Sequence, residues 1–264
     1  MELFKKKEPY QPVEGLICEA TDYRLYFPSR NEKILWFLIG MAAGGAVLWI
    51  FYENIIVTLL AGIACGFAFI PMRRNQVINK RKQRLTNQFR SLLDALSTSI
   101  GAGKNIYDSF ANAADDLAVQ YSKESDIVTE VNIIRIGIDN NIQVEDMLLN
   151  FAARSGIEDI ENFANVFATC YKKGGNIKDV IKNTATIIGD KIEIKMELET
   201  MVAGQKNEMN ILLVMPIVFI QLMKSMGGDL IDLKSGVGIL SVTASLVIFI
   251  AAYFIGQKIT DIKL

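Results

Sequence analysis

Apolar and polar positions divide this chain into blocks. Residues 34–52 and 55–72 are apolar almost throughout, 73–209 are polar with recurrent apolar positions, and 210–226 and 237–256 are apolar again. A membrane-spanning helix needs about 20 apolar residues, so the four runs predict four spans in two hairpins. Only Glu53 and Asn54 separate the first two runs, which demands a tight helical reversal. The third run is interrupted by Pro216, Gln221 and Lys224. Lys224 sits near its end, where a long side chain can reach the interface.

Inside the polar block, apolar residues recur every three or four positions, the period of an amphipathic helix. Leu85, Phe89, Leu92, Leu96 and Ile100 mark a first helix that continues from the second span and ends near Gly101-Ala102-Gly103. Ile106, Phe110, Ala113 and Leu117 mark a second. Ile127, Val131, Ile134 and Ile138 mark a third, closed by Gly137 and Asn140-Asn141. Val144, Leu148, Phe151 and Ala152 make a short fourth, and Ile160, Phe163, Phe167 and Cys170 a fifth. The sixth starts at Asn176 and carries Ile177, Val180, Ile181, Thr184 and Ile188. Its continuation, IEIKMEL at 192–198, alternates strictly, which is strand periodicity. A lone strand among helices would have no partner for its backbone groups, so a helix running into the third span is expected there.

Two corners punctuate the block. Gly174-Gly175-Asn176 joins the fifth helix to the sixth: glycine just past a helix can take the left-handed conformation, and asparagine caps the next helix. Gly101, Gly103 and Asn105 repeat that chemistry, and GKNIYDSFANAA at 103–114 matches GGNIKDVIKNTA at 174–185 in six of twelve positions. Asn141-Ile142 is a weaker third copy. A repeated helical-hairpin plan and independent convergence on corner chemistry both account for the echo. In the first hairpin, Gly40-x-x-x-Gly44 and Gly62-x-x-x-Gly66 are small-residue spacings that let backbones approach closely. They serve either a dimer seam or packing within the hairpin, and the tethered neighbour favours the second.

Charge refines the layout. Apolar residues make up 51% of the chain and net charge is −1, a balance that suggests no nucleic-acid partner. Arg73, Arg74, Lys80, Arg81, Lys82, Arg84 and Arg90 follow the second span with no acidic residue among them. Such a cluster marks a cytoplasmic flank and attracts anionic lipid by about 1 kcal/mol per charge. Lys5, Lys6 and Lys7 place residues 1–33 on the same side as an extended or partly helical arm, and the first span is expected to be retained. From 91 to 209 there are 11 basic and 19 acidic residues, so a basic collar carries an acidic body of net −8.

Reactive chemistry is sparse. There is no histidine, and Cys18, Cys65 and Cys170 are too far apart for a zinc or redox motif. Gly101-Ala102-Gly103-Lys104-Asn105 falls short of a phosphate loop: Thr98 stands where the first glycine belongs, and Asn105 replaces the hydroxyl residue. Asp229 and Asp232 sit together in a short outer loop and suit a solvated turn better than a catalytic carboxylate pair. No cofactor, metal or catalytic residue is expected, and the chain reads as a non-enzyme.

The expected organisation is an all-α membrane protein. An arm at 1–33, a hairpin at 34–72 and a basic neck at 73–84 precede a cytosolic helical bundle at 85–209. A second hairpin at 210–257 and a tail at 258–264 follow, with both ends cytosolic. This layout resembles the F-domain family of type II secretion and type IV pilus systems, in particular the single-module TadB/TadC-type platform proteins of Tad (Flp) pili. The resemblance runs from Leu85 to Pro216 on QFxxLLDAL at 88–96, GAGKNI at 101–106 and AARS at 152–155. Ile160, Phe163, Gly174-Gly175-Asn176-Ile177 and Pro216 complete it.

That resemblance implies a cytoplasmic (inner) membrane platform that self-associates or pairs with a paralogue. It would contact a hexameric secretion ATPase from the cytosol and couple its motion to extraction of pilin-like subunits. Partner contact is expected at Lys172, Lys173 and Asn176, with Arg154 as a buried or interfacial anchor, or alternatively in a salt bridge with Glu158. Gly101, Gly103, Gly174 and Gly175 are expected as helix corners, and Gly40, Gly44, Gly62, Gly66 and Pro216 as packing positions in the membrane. The competing class is a multi-span transporter or channel, whose spans should carry ionisable residues along a path.

Overall fold

The computed structural model describes residues 12–17, 20–52 and 54–225, with 243–245, 247, 248, 251, 252, 255 and 256. Lys5 to Lys7, Cys18, Glu53, the loop with Asp229 and Asp232, most of the fourth apolar run and residues 257–264 lie outside them. Among the described residues the regular structure is entirely helical. Up to Ser225 the described residues form, in order, α1 Arg30–Tyr52, α2 Ile55–Gly101, α3 Ile106–Gln120, α4 Asp126–Asp139, α5 Val144–Ser155, α6 Glu158–Lys173 and α7 Ile177–Ser225.

The chain divides into two compact units, Met1–Phe27 with Gln76–Ile192, and Pro28–Asn75 with Glu193–Leu264. The first is a helical module. Its core is the apolar stripe of α2 (Leu85, Phe89, Leu92, Leu93 and Leu96) packed among Phe110, Val131, Ile134, Leu148, Phe151, Phe163, Phe167 and Ile181. Phe89 meets Phe163 edge-on at 5.5 Å and Phe151 at 6.2 Å, so three helices converge on one ring. Residues 12–17 and 20–27 belong to this module: Tyr23 is 1% exposed and sits in the core.

Local chemistry fixes the ends. Ser29 and Glu32 form a capping box, the Glu32 carboxylate accepting from Ser29 N at 2.8 Å and Ser29 Oγ from Glu32 N at 3.3 Å. The box starts α1 four residues before the apolar run begins. Asn141 adopts φ 62° and closes the connection after α4. Gly137, expected to help end that helix, lies inside it; a Cβ there would come within 2.7 Å of Met147 Sδ, so it provides a close approach of α5 to α4. The alternating segment 192–198 is helical within α7, and its apolar residues Ile194 and Met196 are exposed.

In the second unit, α1 and the start of α2 form an antiparallel hairpin. Asn54 caps α2 by accepting from Ile56 N at 3.0 Å. Gly40 and Gly44 face α2, and Gly62 and Gly66 face α1. A Cβ would lie 2.6 Å from Phe69 Cβ at Gly40, 2.6 Å from Cys65 Cβ at Gly44 and 2.8 Å from the Phe37 ring at Gly66. Both glycine spacings are therefore used inside the hairpin. Two helical stretches, Arg30–Ile50 and the apolar beginning of Ile55–Gly101, are long and apolar enough to cross a membrane. Residues 210–225 continue α7, and Pro216 stands inside it, where it removes the N–H that Leu212 O would accept.

Candidate functional site

Helices α3 to α6 reverse direction at each short connection, so the corners α2–α3 and α6–α7 fall at one end of the module. A hydrogen bond joins them: the hydroxyls of Tyr107 and Tyr171 are 3.0 Å apart. Each corner is built the same way. Asn105 accepts from Asp108 N at 2.8 Å while its Nδ2 donates to Asp108 Oδ2 at 2.7 Å. Asn176 accepts from Asp179 N at 3.4 Å and donates to Asp179 Oδ2 at 2.5 Å. Gly103 and Gly174 hold φ of 85° and 71°, the left-handed region where a side chain is strained. The 103–114 and 174–185 echo is thus a matched pair of asparagine-capped corners in contact.

Lys172, Lys173 and Asn176 are exposed at this end, as is Lys104 of the paired corner. The amide of Asn176 is engaged with its own helix, which makes it a cap first and leaves the lysines as the reaching groups. Tyr171 stacks on Phe167 at 5.7 Å and 10°. Its hydroxyl is pushed up to about 12, chiefly by the bond to Tyr107, then by burial, with the Tyr107 and Glu145 charges adding. Glu145 is 2% exposed in the first turn of α5. This surface presents the ammonium groups of Lys104, Lys172 and Lys173 to solvent. No cluster of three or more metal-ligating side chains occurs among the described residues.

Arg154 lies at the other end of the module, 1% exposed. It forms a bidentate pair with Glu130, Nη1 donating to Oε1 at 2.7 Å and Nη2 to Oε2 at 2.5 Å. Nε donates to Asn150 Oδ1 at 2.8 Å and Nη1 also to Thr21 O at 3.0 Å. Its acidic partner is Glu130 and not Glu158, because Gly156, at φ 57°, ends α5 between Arg154 and Glu158. Arg154 is thus a buried anchor inside the chain and is absent from the exposed surface.

The same place shows what sequence reasoning missed. Tyr23 OH donates to Glu130 Oε1 at 2.8 Å, and Tyr23 N donates to Arg154 O at 3.0 Å. Arg81 lies over the Tyr23 ring at 4.7 Å and donates to Asp126 Oδ1 at 2.6 Å. Burial and the Glu130 carboxylate raise the Tyr23 hydroxyl far above the ordinary tyrosine range. The bond to Asp126 raises Arg81, whereas burial beside Arg24 lowers Lys82, which donates to Gly156 O at 2.8 Å. Two members of the basic collar therefore serve the module's own packing. Comparison with family models, curated proteins and solved structures gives no match for this chain.

Proposed function

We propose that this chain is a non-enzymatic platform protein of a type IV-like (Tad/Flp) pilus or type II secretion machine, held in the cytoplasmic membrane as a multi-pass protein. Four spans in two hairpins would flank the helical module as an F-domain, with both termini in the cytosol. The module would receive a hexameric secretion ATPase and pass its motion to pilin-like subunits, working as a self-associated or paralogue-paired assembly.

The observation that carries this reading is the joined pair of corners. The corners stand at the C-terminal end of α2 and the N-terminal end of α7. They present lysines on a body whose charge is otherwise acidic, a local contrast suited to a carboxylate-bearing partner. Replacing Lys172 and Lys173 together by glutamate is expected to abolish fibre assembly and ATPase co-purification with membrane levels of the protein unchanged. Normal assembly by that variant would reject the contact. Failure of the unmodified, detergent-solubilised chain to retain any secretion ATPase would reject the platform role itself.

A further inference from the structure

The α1–α2 hairpin is strongly polarised in charge. Its contacts set the register: Gly40 against Gly66 and Phe69, Gly44 against Cys65, Gly45 against Gly62, and Phe37 against Phe67 at 5.1 Å. Continuing that register brings Lys33 level with Met72 and Arg73, and Arg30 level with Arg74 and Asn75. Because the capping box starts α1 at Arg30, both basic residues of α1 are on the helix. Arg30, Lys33, Arg73 and Arg74 are all exposed. The Arg73 guanidinium lies 5.8 Å from the centre of the Phe69 ring, toward the apolar stretch of its helix. At the reversal, residues 49–56 contain no basic residue.

We infer that the base of the hairpin is a headgroup clamp for anionic phospholipid, formed by Arg30 and Lys33 from α1 and by Arg73 and Arg74 from α2. Two pairs of cations on adjacent helices stand at the same level, where apolar side chains give way to polar ones and a lipid phosphate would lie. Guanidinium groups hold phosphate through paired N–H donors, and ammonium acts as a point charge. Ile34, Leu35 and Met72, exposed just inside the clamp, supply the apolar surface that acyl chains would cover. A free phosphate ion would gain nothing from that surface, so the site favours a lipid. This inference rests on the reading of the hairpin as membrane-spanning.

The test uses the full chain. Membranes containing it are first extracted with alkaline carbonate; release of the protein would overturn the membrane reading and the clamp with it. The retained protein is then solubilised in mild detergent, and its binding of phosphatidylglycerol and phosphatidylcholine is compared by native mass spectrometry. Phosphatidylglycerol is expected to be preferred, with the preference falling about 5-fold for each neutralised residue, the equivalent of about 1 kcal/mol per basic residue near an anionic surface. The variants are Arg30→Gln with Lys33→Gln, and Arg74→Gln. The exchange Arg30→Lys with Lys33→Arg should keep the preference, which separates charge from folding. Equal retention of both lipids, or a preference the glutamine variants leave intact, overturns the clamp while leaving the membrane reading standing. Stabilisation by inorganic phosphate equal to that by phosphatidylglycerol overturns the lipid assignment.

Discussion

At the residue scale, the Glu130–Arg154 pair is the most exacting feature of the module. Both side chains are essentially excluded from solvent, and the guanidinium is satisfied by Glu130, Asn150 and the carbonyl of Thr21. Desolvating two charges is offset only when geometry and extra hydrogen bonds are complete, and removing one partner strands the other. Glu130→Leu or Arg154→Leu alone is expected to destabilise the module by about 3–5 kcal/mol, whereas replacing both with apolar residues should cost much less. Denaturant unfolding of the four proteins as a double-mutant cycle measures this. Equal and additive losses would show that the pair does not act as a unit. Arg154 was legible in the sequence as a candidate anchor, but its partner was not. Glu158 is close in sequence yet separated by the left-handed Gly156, and Glu130 comes from another helix. Sequence spacing reads partners only along one uninterrupted helix.

At the scale of elements, the apolar period located all six helices of the polar block, because each buries one stripe against a common core. Boundaries set by side-chain capping were less visible: Ser29-x-x-Glu32 is a capping signature, but it lies among polar residues ahead of the apolar run. The alternating stretch 192–198 forms helix because α7 satisfies its backbone internally, whatever its side-chain pattern. The glycine spacings of the hairpin left two uses open at the sequence level, and the contacts assign them to packing between α1 and α2. Gly40→Leu or Gly66→Leu is accordingly expected to separate the two helices. Disulfide trapping between cysteines placed at Met41 and Gly62, with Cys65 replaced, reports it: crosslinking within one chain should be efficient in the parent and fall several-fold in either leucine variant. Unchanged crosslinking would refute the seam.

For the whole molecule, the largest revision concerns the beginning of the chain. Residues 1–33 carry no period and several prolines, so they read as an arm. The described stretches 12–17 and 20–27 are instead fastened to the module. Asn150 donates to Glu14 O at 2.9 Å, Arg154 to Thr21 O, and Tyr23 is enclosed between Arg81 and Glu130. Such a segment has no local signature, since its burial comes from residues far along the chain, on α2, α4 and α5. Tyr23→Ala is expected to lower module stability by about 3–5 kcal/mol, the usual cost of deleting a buried aromatic, and to increase proteolysis within residues 12–27. A melting temperature indistinguishable from that of the parent would return the segment to the status of an arm.

The glycine seam and the Tyr23 lock also set an order of events during synthesis. Gly40 and Gly66 are 26 positions apart, so at about 5–20 residues per second both faces of the seam exist within about 1–5 s. Thr21 must wait for Arg154, 133 residues later, a delay of about 7–27 s at the same rate. A stretch translated before the hairpin thus finds its place only after the hairpin has closed. Until α4 supplies Glu130, the Tyr23 ring lacks its enclosure and is available to a chaperone, which gives the nascent chain a period of vulnerability that the finished molecule does not share.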